Sequence, residues 1–239
     1  LGISRVATGH YANIAYDEAS GRYYIRKAGD ARKDQSYVLW RLTQEQLSML
    51  TFPLSEREKK DVRAEAVALS LPSADAEESQ EICFIPSGDY ASYIEDIKGV
   101  FPEGNFVLEG GAVLGRHKGI IRYTVGQRKG LGISFGERIF VSRIDADKNE
   151  ILLSREGSFT DTVGVSDIVF SGMTEPKTGA TVRVSVKLRY LAKPVFATAV
   201  FDGKGGAELK LDLPEKAVTP GQSAVMYDGD CVLCGGFIV

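Results

Sequence analysis

The sequence TVRVSVKLRYLAKPVFATAVFD, which spans residues 181–202, decides the fold class of the C-terminal third of the chain. β-branched and aromatic residues recur throughout it, and this composition predicts two strands, at 181–191 and 194–202. Further strands are predicted on both sides, at 164–171, 206–213, 223–227 and 231–238. Because turn signals recur roughly every 8–12 residues, residues 156–239 are predicted to form an antiparallel β-barrel.

Residues 99–155 form a second region, in which glycine is frequent and strands are short. Strands are predicted at 105–108, 112–115, 138–146 and 149–154, and the last two make a hairpin. We interpret this region as a small central module that precedes the barrel.

Residues 1–98 differ from both regions because they contain helical patterns. The first predicted elements are a hairpin of 7–16 with 22–27 and a helix over 37–50. A second helix is predicted to start at a capping box formed by Ser55 and Glu58 and to end at about Leu71. A strand at 82–85 and a third helix, capped by Ser87 and ending near Ile97, follow. An α/β part over residues 1–98 is therefore predicted.

The bulk composition is that of an ordinary globular protein, with 44% hydrophobic and 26% charged residues among 239. No run of about 18 apolar residues is present, and the N-terminus resembles no targeting peptide, so we expect a cytoplasmic protein with no membrane partner. Three cysteines do not make a disulfide framework, which fits a reducing compartment. Because the chain starts without Met inside an apolar segment, we expect it to be part of a longer protein.

Charge is unevenly distributed along the chain, although the net charge is only −3. Residues 45–109 contain 14 acidic and 5 basic side chains, whereas residues 115–132 and 176–201 contain five Lys or Arg each and no acid. Two acid-free basic stretches in an acidic protein favour a localised polyanionic partner such as a nucleic acid. Chance clustering on solvated strands is the alternative.

The histidines and the C-terminal cysteines do not predict a metal or redox site. His10 and His117 lie far from each other and from any cysteine, so no metal is expected. Cys231 and Cys234 form a CxxC, but they fall in a predicted strand, which points them to opposite faces. We interpret both as core residues.

Cys83 is the only cysteine in the first 230 residues. Its apolar neighbours Ile82 and Phe84 are typical of a buried core thiol. A reactive thiol there would need a basic group from elsewhere in the fold, because Glu77 and Glu78 precede it. The residues alone leave both interpretations open.

Three short motifs are candidates for ligand binding. Gly9-His10-Tyr11 follows a predicted strand, where a glycine lets a ligand approach the backbone closely or simply turns the chain. The segment 33–37, Lys-Asp-Gln-Ser-Tyr, combines an amide and an aromatic ring that suit an unstacked RNA base, although Asp34 or Ser36 is equally suited to cap the following helix. The basic, glycine-rich loop 126–132 is either a phosphate-binding loop or a flexible turn.

Taken in order, these segments resemble the tRNA-specific 2-thiouridylase family. The matching segments are Ala-Thr-Gly-His-Tyr (7–11), Lys-Asp-Gln-Ser-Tyr (33–37), Ile-Cys-Phe-Ile (82–85), Tyr-Thr-Val-Gly-Gln-Arg-Lys-Gly-Leu-Gly (123–132), Arg-Tyr (189–190) and Thr-Pro-Gly-Gln-Ser-Ala-Val (219–225). Each is modest alone, but the six together span nearly the whole chain.

The resemblance implies a fold, a reaction and a set of site residues. It makes residues 1–98 the remnant of an adenine-nucleotide alpha-hydrolase-like (PP-loop) domain, 99–155 a small central tRNA-binding module and 156–239 the C-terminal β-barrel. It implies ATP, Mg-bound in the full-length enzyme, which activates the C2 carbonyl oxygen of a flipped wobble uridine, and sulfur transfer from a cysteine persulfide. Its implied partners are tRNA with a wobble uridine and a sulfur-donor protein of a persulfide relay. Its implied residues are Cys83 as the persulfide carrier, Gly9 as an ATP contact, and His10, Lys33, Asp34, Gln35, Arg189, Tyr190 and Gln222 as tRNA contacts.

Two features of the family pattern are absent from these 239 residues: the Ser-Gly-Gly-Val-Asp-Ser pyrophosphate loop and the first catalytic cysteine. We therefore expect the chain to be the C-terminal two-thirds of such an enzyme and to be inactive alone. A tRNA-binding module without chemistry, or a truncated paralogue, is the alternative. A barrel interaction protein with an inert Cys83 is a third possibility.

Overall fold

The computed structural model describes residues 2, 4–72, 74, 85, 89–157 and 159–239. The chain divides into two compact units. The first combines 1–76 with 161–214 and 220–239, and the second combines 77–160 with 215–219. Residues 82–84 of the strand predicted at 82–85, which include Cys83, lie outside the described residues, as does Ser87.

The N-terminal elements begin the first unit. They are β1 (Val6–Ala7), β2 (Asn13–Asp17), β3 (Arg22–Arg26), a 3₁₀ helix (Ser36–Leu39), α1 (Gln44–Met49), β4 (Leu50–Thr51) and α2 (Lys59–Ala68). β1 pairs in parallel with β4, and β2 pairs with β3 in the predicted hairpin. A parallel pair joined by helical segments is typical of an α/β fold, as the sequence predicts for this region.

The helix predicted over 37–50 is interrupted. The 3₁₀ helix ends at Leu39, and α1 starts anew after Thr43. Thr43 Oγ1 accepts the Gln46 N–H at 3.3 Å, and Gln46 Oε1 accepts the Thr43 N–H at 2.9 Å. This capping box satisfies amides that a helix start leaves unpaired, and it outweighs the continuous apolar repeat.

The capping box predicted at Ser55 and Glu58 is wrong. α2 begins at Lys59, and the N-cap residue Glu58 makes no capping hydrogen bond with its side chain. Instead, Asp30 Oδ2 accepts the Lys59 N–H at 3.1 Å. Because Asp30 lies 29 residues upstream, this cap is a tertiary contact that no local pattern predicts.

The described residues of the second unit form an α-helix, a short 3₁₀ helix and a small mixed sheet. Its elements are α3 (Tyr90–Lys98), β5 (Gly104–Leu108), β6 (Val113–His117), a 3₁₀ helix (Ile120–Arg122), β7 (Phe140–Asp145) and β8 (Glu150–Ser154). The strand order is β6-β5-β8-β7, with β5 and β8 parallel. Asp89 Oδ1 caps α3 by accepting the Ala91 and Ser92 N–H groups at 3.1 Å each. Phe106, Val141, Ile151 and Leu153 form its fully buried core.

The predicted C-terminal barrel is confirmed. Its strands are β9 (Phe159–Val169), β10 (Thr181–Lys187), β11 (Val195–Phe201), β12 (Ala207–Lys216), β13 (Ser223–Asp228) and β14 (Cys231–Ile238). They are ordered β13-β10-β11-β12-β9-β14, and β14 pairs again with β13, so the sheet closes on itself. β3 attaches to β14 through Arg26 and Cys231, which joins the N-terminal hairpin to the barrel sheet within the first unit.

Candidate nucleic-acid interface

Gln35 joins the loop at 9–11 to the loop at 33–37. Its side-chain Oε1 accepts the Tyr11 N–H at 2.9 Å, and its backbone N–H donates to the Tyr11 carbonyl at 2.8 Å. Tyr11 is buried, whereas Gly9 before it is exposed. The two motifs, which are separate in sequence, are therefore one surface in the fold.

Asp34 organises the backbone of the second loop. Its Oδ1 accepts the Ala28 and Ser36 N–H groups at 3.1 and 3.2 Å, and its Oδ2 accepts the Ser36 hydroxyl at 2.8 Å. Ser36 is fully buried and its Oγ lies 3.2 Å from Tyr227 Oη. Burial raises the pKa of Tyr227, which keeps that phenol protonated. The Asp34 carboxylate therefore stabilises the conformation of the 33–37 loop through hydrogen bonds within the protein.

Tyr37 and Trp40 attach this loop to the barrel. Tyr37 Oη donates to the Ser223 carbonyl at 2.9 Å, and Trp40 Nε1 donates to Ser223 Oγ at 3.1 Å. Gly235 on β14 leaves the space for the indole, since a Cβ there would lie 2.8 Å from Trp40 Cδ2. Gln222, the residue before Ser223, is exposed beside this attachment.

A cluster of two tyrosines and a lysine stands next to the attachment. The Tyr37 and Tyr190 ring centroids are 5.9 Å apart, and Lys187 Nζ lies 5.6 Å from the first and 5.8 Å from the second. Tyr37 is buried, whereas Tyr190 is 40% exposed. Arg189 is exposed, and its guanidinium has no partner among the described residues. An exposed ring flanked by cations suits a stacked base and its phosphate.

The structure brings the three segments that carry six of the predicted contact residues next to one another. The hydrogen bond from Tyr37 to Ser223 and the ring contact between Tyr37 and Tyr190 place the 33–37 loop beside Ser223 and Tyr190, and Gln222 and Arg189 are the chain neighbours of these two residues. His10 belongs to the adjoining loop, where its Nδ1 lies 2.8 Å from Thr8 Oγ1 and its ring 6.0 Å from Phe52. Cys83 lies outside the described residues, so the fold neither joins it to this surface nor separates it.

Gly9 lies just beyond β1, and its backbone is exposed to solvent. It does not have a positive φ, and an added Cβ would meet only Leu54 Cδ1, at 3.8 Å. The fold therefore gives no internal reason for glycine at this position. An open backbone fits the close approach of a nucleotide.

The loop at 126–132 is ordered from within by Gln127. Gln127 Oε1 accepts the Thr124 N–H at 2.9 Å, and its Nε2 donates to the Lys129 carbonyl at 3.1 Å. Arg128 and Lys129 are exposed, and their charged groups have no partner among the described residues. Arg128 and Arg138 line a depression of about 340 Å³ in the second unit. The loop therefore contains a hydrogen-bonded turn that exposes two cations.

The two C-terminal thiols are poor nucleophiles. Cys231 is half-buried and Cys234 is fully buried on β14. The prediction that they point to opposite faces is wrong, because the pairing with β13 shifts register between them and places Cys231 opposite Asp228 and Cys234 opposite Met226, two positions apart on one strand. Burial raises the pKa of both thiols, that of Cys234 to about 12. Neither is a thiolate near neutral pH, which is the reactive form.

The described residues contain no cluster of three His, Cys, Asp or Glu side chains that would hold a metal ion. None of the helices in that part of the chain is both long and apolar enough to cross a membrane.

Comparison with known proteins decides the family. Three family models match consecutive segments, described as a tRNA methyl transferase HUP domain (1–87), a tRNA methyl transferase PRC-barrel domain (91–155) and an aminomethyltransferase beta-barrel domain (160–238). The tRNA-specific 2-thiouridylase MnmA of Acetivibrio thermocellus is 44% identical over 241 residues, which cover 100% of this chain and 66% of that protein. The chain belongs to the tRNA-specific 2-thiouridylase family. The protein of the same name from Clostridium acetobutylicum is 42% identical over 243 residues, which cover 100% of this chain and 66% of that protein.

The three family models identify the domain type of each of the three regions of the chain. They are a HUP-like N-terminal domain, a central PRC-barrel module and a C-terminal antiparallel barrel. The chain spans 66% of the length of the curated 2-thiouridylases described above.

Sequence reasoning missed the two residues at the centre of this surface. The sequence pattern gives Tyr37 only a general stacking role, and it presents Lys187 as one of five cations in a basic stretch. The alternation of apolar and polar residues along β10 was the sequence feature that could have singled out Lys187. In the segment 181–188 buried positions alternate with accessible ones, and Lys187 is a half-buried charge on the accessible face.

Proposed function

We propose that this chain is the RNA-binding and sulfur-carrying part of a tRNA-uridine 2-sulfurtransferase. The observation that carries the proposal is the convergence of the Lys33–Gln35 loop, Arg189–Tyr190 and Gln222 around Tyr37. The names of the relatives, tRNA-specific 2-thiouridylases, support tRNA as the partner and uridine as the target.

Each group around Tyr37 has a function that suits an unpaired nucleotide. Tyr190 offers an exposed ring for stacking, and Arg189 offers a guanidinium that has no partner among the described residues. The Gln35 Oε1 is already used by Tyr11, so its amide N–H groups remain to contact an acceptor on the RNA. Tyr37 and Asp34 hold these groups in place through their own hydrogen bonds. Extruding the wobble base is required because a stacked base hides its C2 atom.

The nucleotide part of the proposal concerns Gly9. Bound ATP supplies the activation of the C2 carbonyl oxygen, which then leaves with AMP. The open backbone of Gly9 next to β1 fits a nucleotide contact. We expect the Gly9→Ala variant to fold normally but to impair nucleotide binding in a full-length enzyme.

The sulfur part of the proposal concerns Cys83. The terminal sulfur of its persulfide forms a bond with C2 while the bond from C2 to the activated oxygen breaks. The remaining sulfur–sulfur bond is then cleaved by a second thiol, which takes the Cys83 sulfur into a disulfide. That second cysteine and the pyrophosphate loop are not among these 239 residues, so we expect the chain itself to bind RNA without turnover.

A series of gel-shift experiments tests RNA binding by this chain directly. The chain is titrated with tRNAs that have uridine at the wobble position and with tRNAs that lack it, over a range of salt concentrations. We expect preferential binding of the first set, weakening steeply with salt because phosphate contacts release counterions. Absence of binding at low salt, or a flat salt response, would contradict the proposal.

Activity tests the sulfur assignment separately. In a full-length enzyme, Cys83→Ser should abolish thiolation while leaving tRNA affinity nearly unchanged. Retained thiolation by that variant would remove Cys83 from the mechanism, and lost affinity would make it a structural residue.

A further inference from the structure

Lys187 is a half-buried lysine without an acceptor. Its ammonium makes no hydrogen bond or ion pair with any described residue and instead lies over the faces of Tyr37 and Tyr190. Burial lowers the pKa of this lysine, and Lys27 adds to that effect. Removing an ammonium from water without giving it an acceptor is unfavourable, so the protein alone does not explain the position.

The nearest carboxylate does not serve as the missing acceptor. Asp34 is close enough to act on the charge of Lys187 and to raise its pKa in opposition to burial. However, no hydrogen bond or ion pair joins the Asp34 carboxylate to the Lys187 ammonium, and its oxygens accept instead from Ala28 and from the backbone and hydroxyl of Ser36. Donor positions on the ammonium therefore remain for a group outside the protein.

The surroundings of Lys187 indicate the chemistry of that group. Tyr190 is 40% exposed and is contacted by the ammonium, while Arg189 extends an exposed guanidinium from the adjacent position. Residues 176–201 contain five basic side chains and no acid. An exposed ring with cations beside it matches one nucleotide, in which the base stacks on the ring and the anionic phosphate meets the cation.

We propose that Lys187 binds a backbone phosphate of the RNA at the nucleotide whose base stacks on Tyr190. The tyrosine and the ammonium then act as one nucleotide-binding element, and the Tyr37 ring supports the ammonium from the protein side. This inference rests on the proposed function, because it assumes that the chain binds tRNA.

The test compares Lys187→Met, which keeps the length of the side chain, with Lys187→Arg, which keeps its charge. Binding of a tRNA with a wobble uridine is measured over roughly 50–300 mM salt, and the slope of log K against log salt is extracted. Lys210→Met is the matched control, since Lys210 lies on β12 of the same barrel, is exposed and pairs with Glu208 at 3.8 Å. Fluorescence of Trp40, the only tryptophan, checks that each variant is folded.

We expect Lys187→Met to weaken binding about tenfold and to reduce the magnitude of the salt slope by about 0.7–0.9, the share of one phosphate. Lys187→Arg should retain most of the affinity and the full slope, and Lys210→Met should match the unmodified chain. An unchanged slope in Lys187→Met overturns the inference, even if affinity falls, because a lysine that only supports Tyr190 contributes no phosphate contact. Failure of the unmodified chain to bind tRNA overturns the proposed function and this inference with it.

Discussion

Asp34 lies in the loop that we propose contacts RNA, and its side chain also makes hydrogen bonds within the protein. Its two oxygens accept three hydrogen bonds that hold residues 28 and 36 in place. The sequence left open whether this acid caps a helix or meets RNA. The structure gives it a local role in the loop backbone and leaves its contact with RNA as a prediction.

We predict that Asp34→Ala destabilises the first unit by about 1–3 kcal/mol, because buried donors lose their acceptor. Chemical denaturation followed by Trp40 fluorescence measures the change. Glu18→Ala is the control, since Glu18 is exposed in the β2–β3 turn and its carboxylate has no partner among the described residues. Equal stability of the two variants would show that the Asp34 hydrogen bonds contribute nothing.

The three cysteines provide an internal comparison of thiol reactivity. We expect an alkylating reagent near neutral pH to modify Cys83 in the folded chain, because a persulfide carrier must be accessible and form a thiolate. Cys231 and Cys234 should stay unmodified until denaturation, because burial raises the pKa of both. Peptide mass spectrometry measures each site. Protection of Cys83 in the folded chain would contradict its proposed role.

At the scale of elements, strand positions were predictable, whereas the start of α2 was not. Strands of the barrel and the central sheet follow from composition and turn spacing, which are local properties. The start of α2 depends instead on Asp30, which reaches Lys59 across 29 residues. A cap that is supplied by tertiary structure leaves no mark in the neighbouring sequence.

Asp89 at the start of α3 makes a pH-dependent contribution to stability. A hydrogen bond from the Ser92 hydroxyl is the largest cause that lowers the Asp89 pKa below 3.8, with the Ser92 amide next. Because the folded-state pKa is lowered, the contribution is complete above pH 3.8 and is lost as the pH falls through the folded-state value.

We therefore predict that Asp89→Ala lowers the stability of the second unit at pH 7 and that this difference shrinks below pH 3.8. Asp89→Asn keeps an acceptor for the cap but cannot titrate, so it should retain more stability at pH 7 and respond less to acid. Urea denaturation at several pH values, followed by circular dichroism, measures both. A constant difference between Asp89→Ala and the parent at all pH values would contradict this assignment.

At the scale of the whole molecule, the sequence predicted a barrel but not its association with the N-terminal residues. Contacts group residues 1–76 with 161–214 and 220–239, and Tyr37 and Trp40 provide the links to Ser223. These links join positions more than 180 apart in the chain (186 for Tyr37 and 183 for Trp40), a separation at which periodicity carries no information. The residues of the proposed RNA-binding surface were therefore named from the sequence, but their proximity in the fold was not predictable from it.

Gly235→Ala tests whether that association builds the surface. The added Cβ would lie 2.8 Å from the Trp40 ring, and the indole, packed edge-on against Phe237, has little room to move. Overpacking of this kind typically costs about 1–3 kcal/mol, so we expect lower stability, a red-shifted Trp40 emission and weaker tRNA binding together.

Gly157→Ala is the control, because a Cβ there meets no atom within 4 Å. Since Gly235 itself lies inside β14 and is buried, a loss of tRNA affinity would mean that the position of the Tyr37 loop on the barrel determines recognition. Normal affinity in a variant with displaced Trp40 would instead mean that each segment binds RNA on its own.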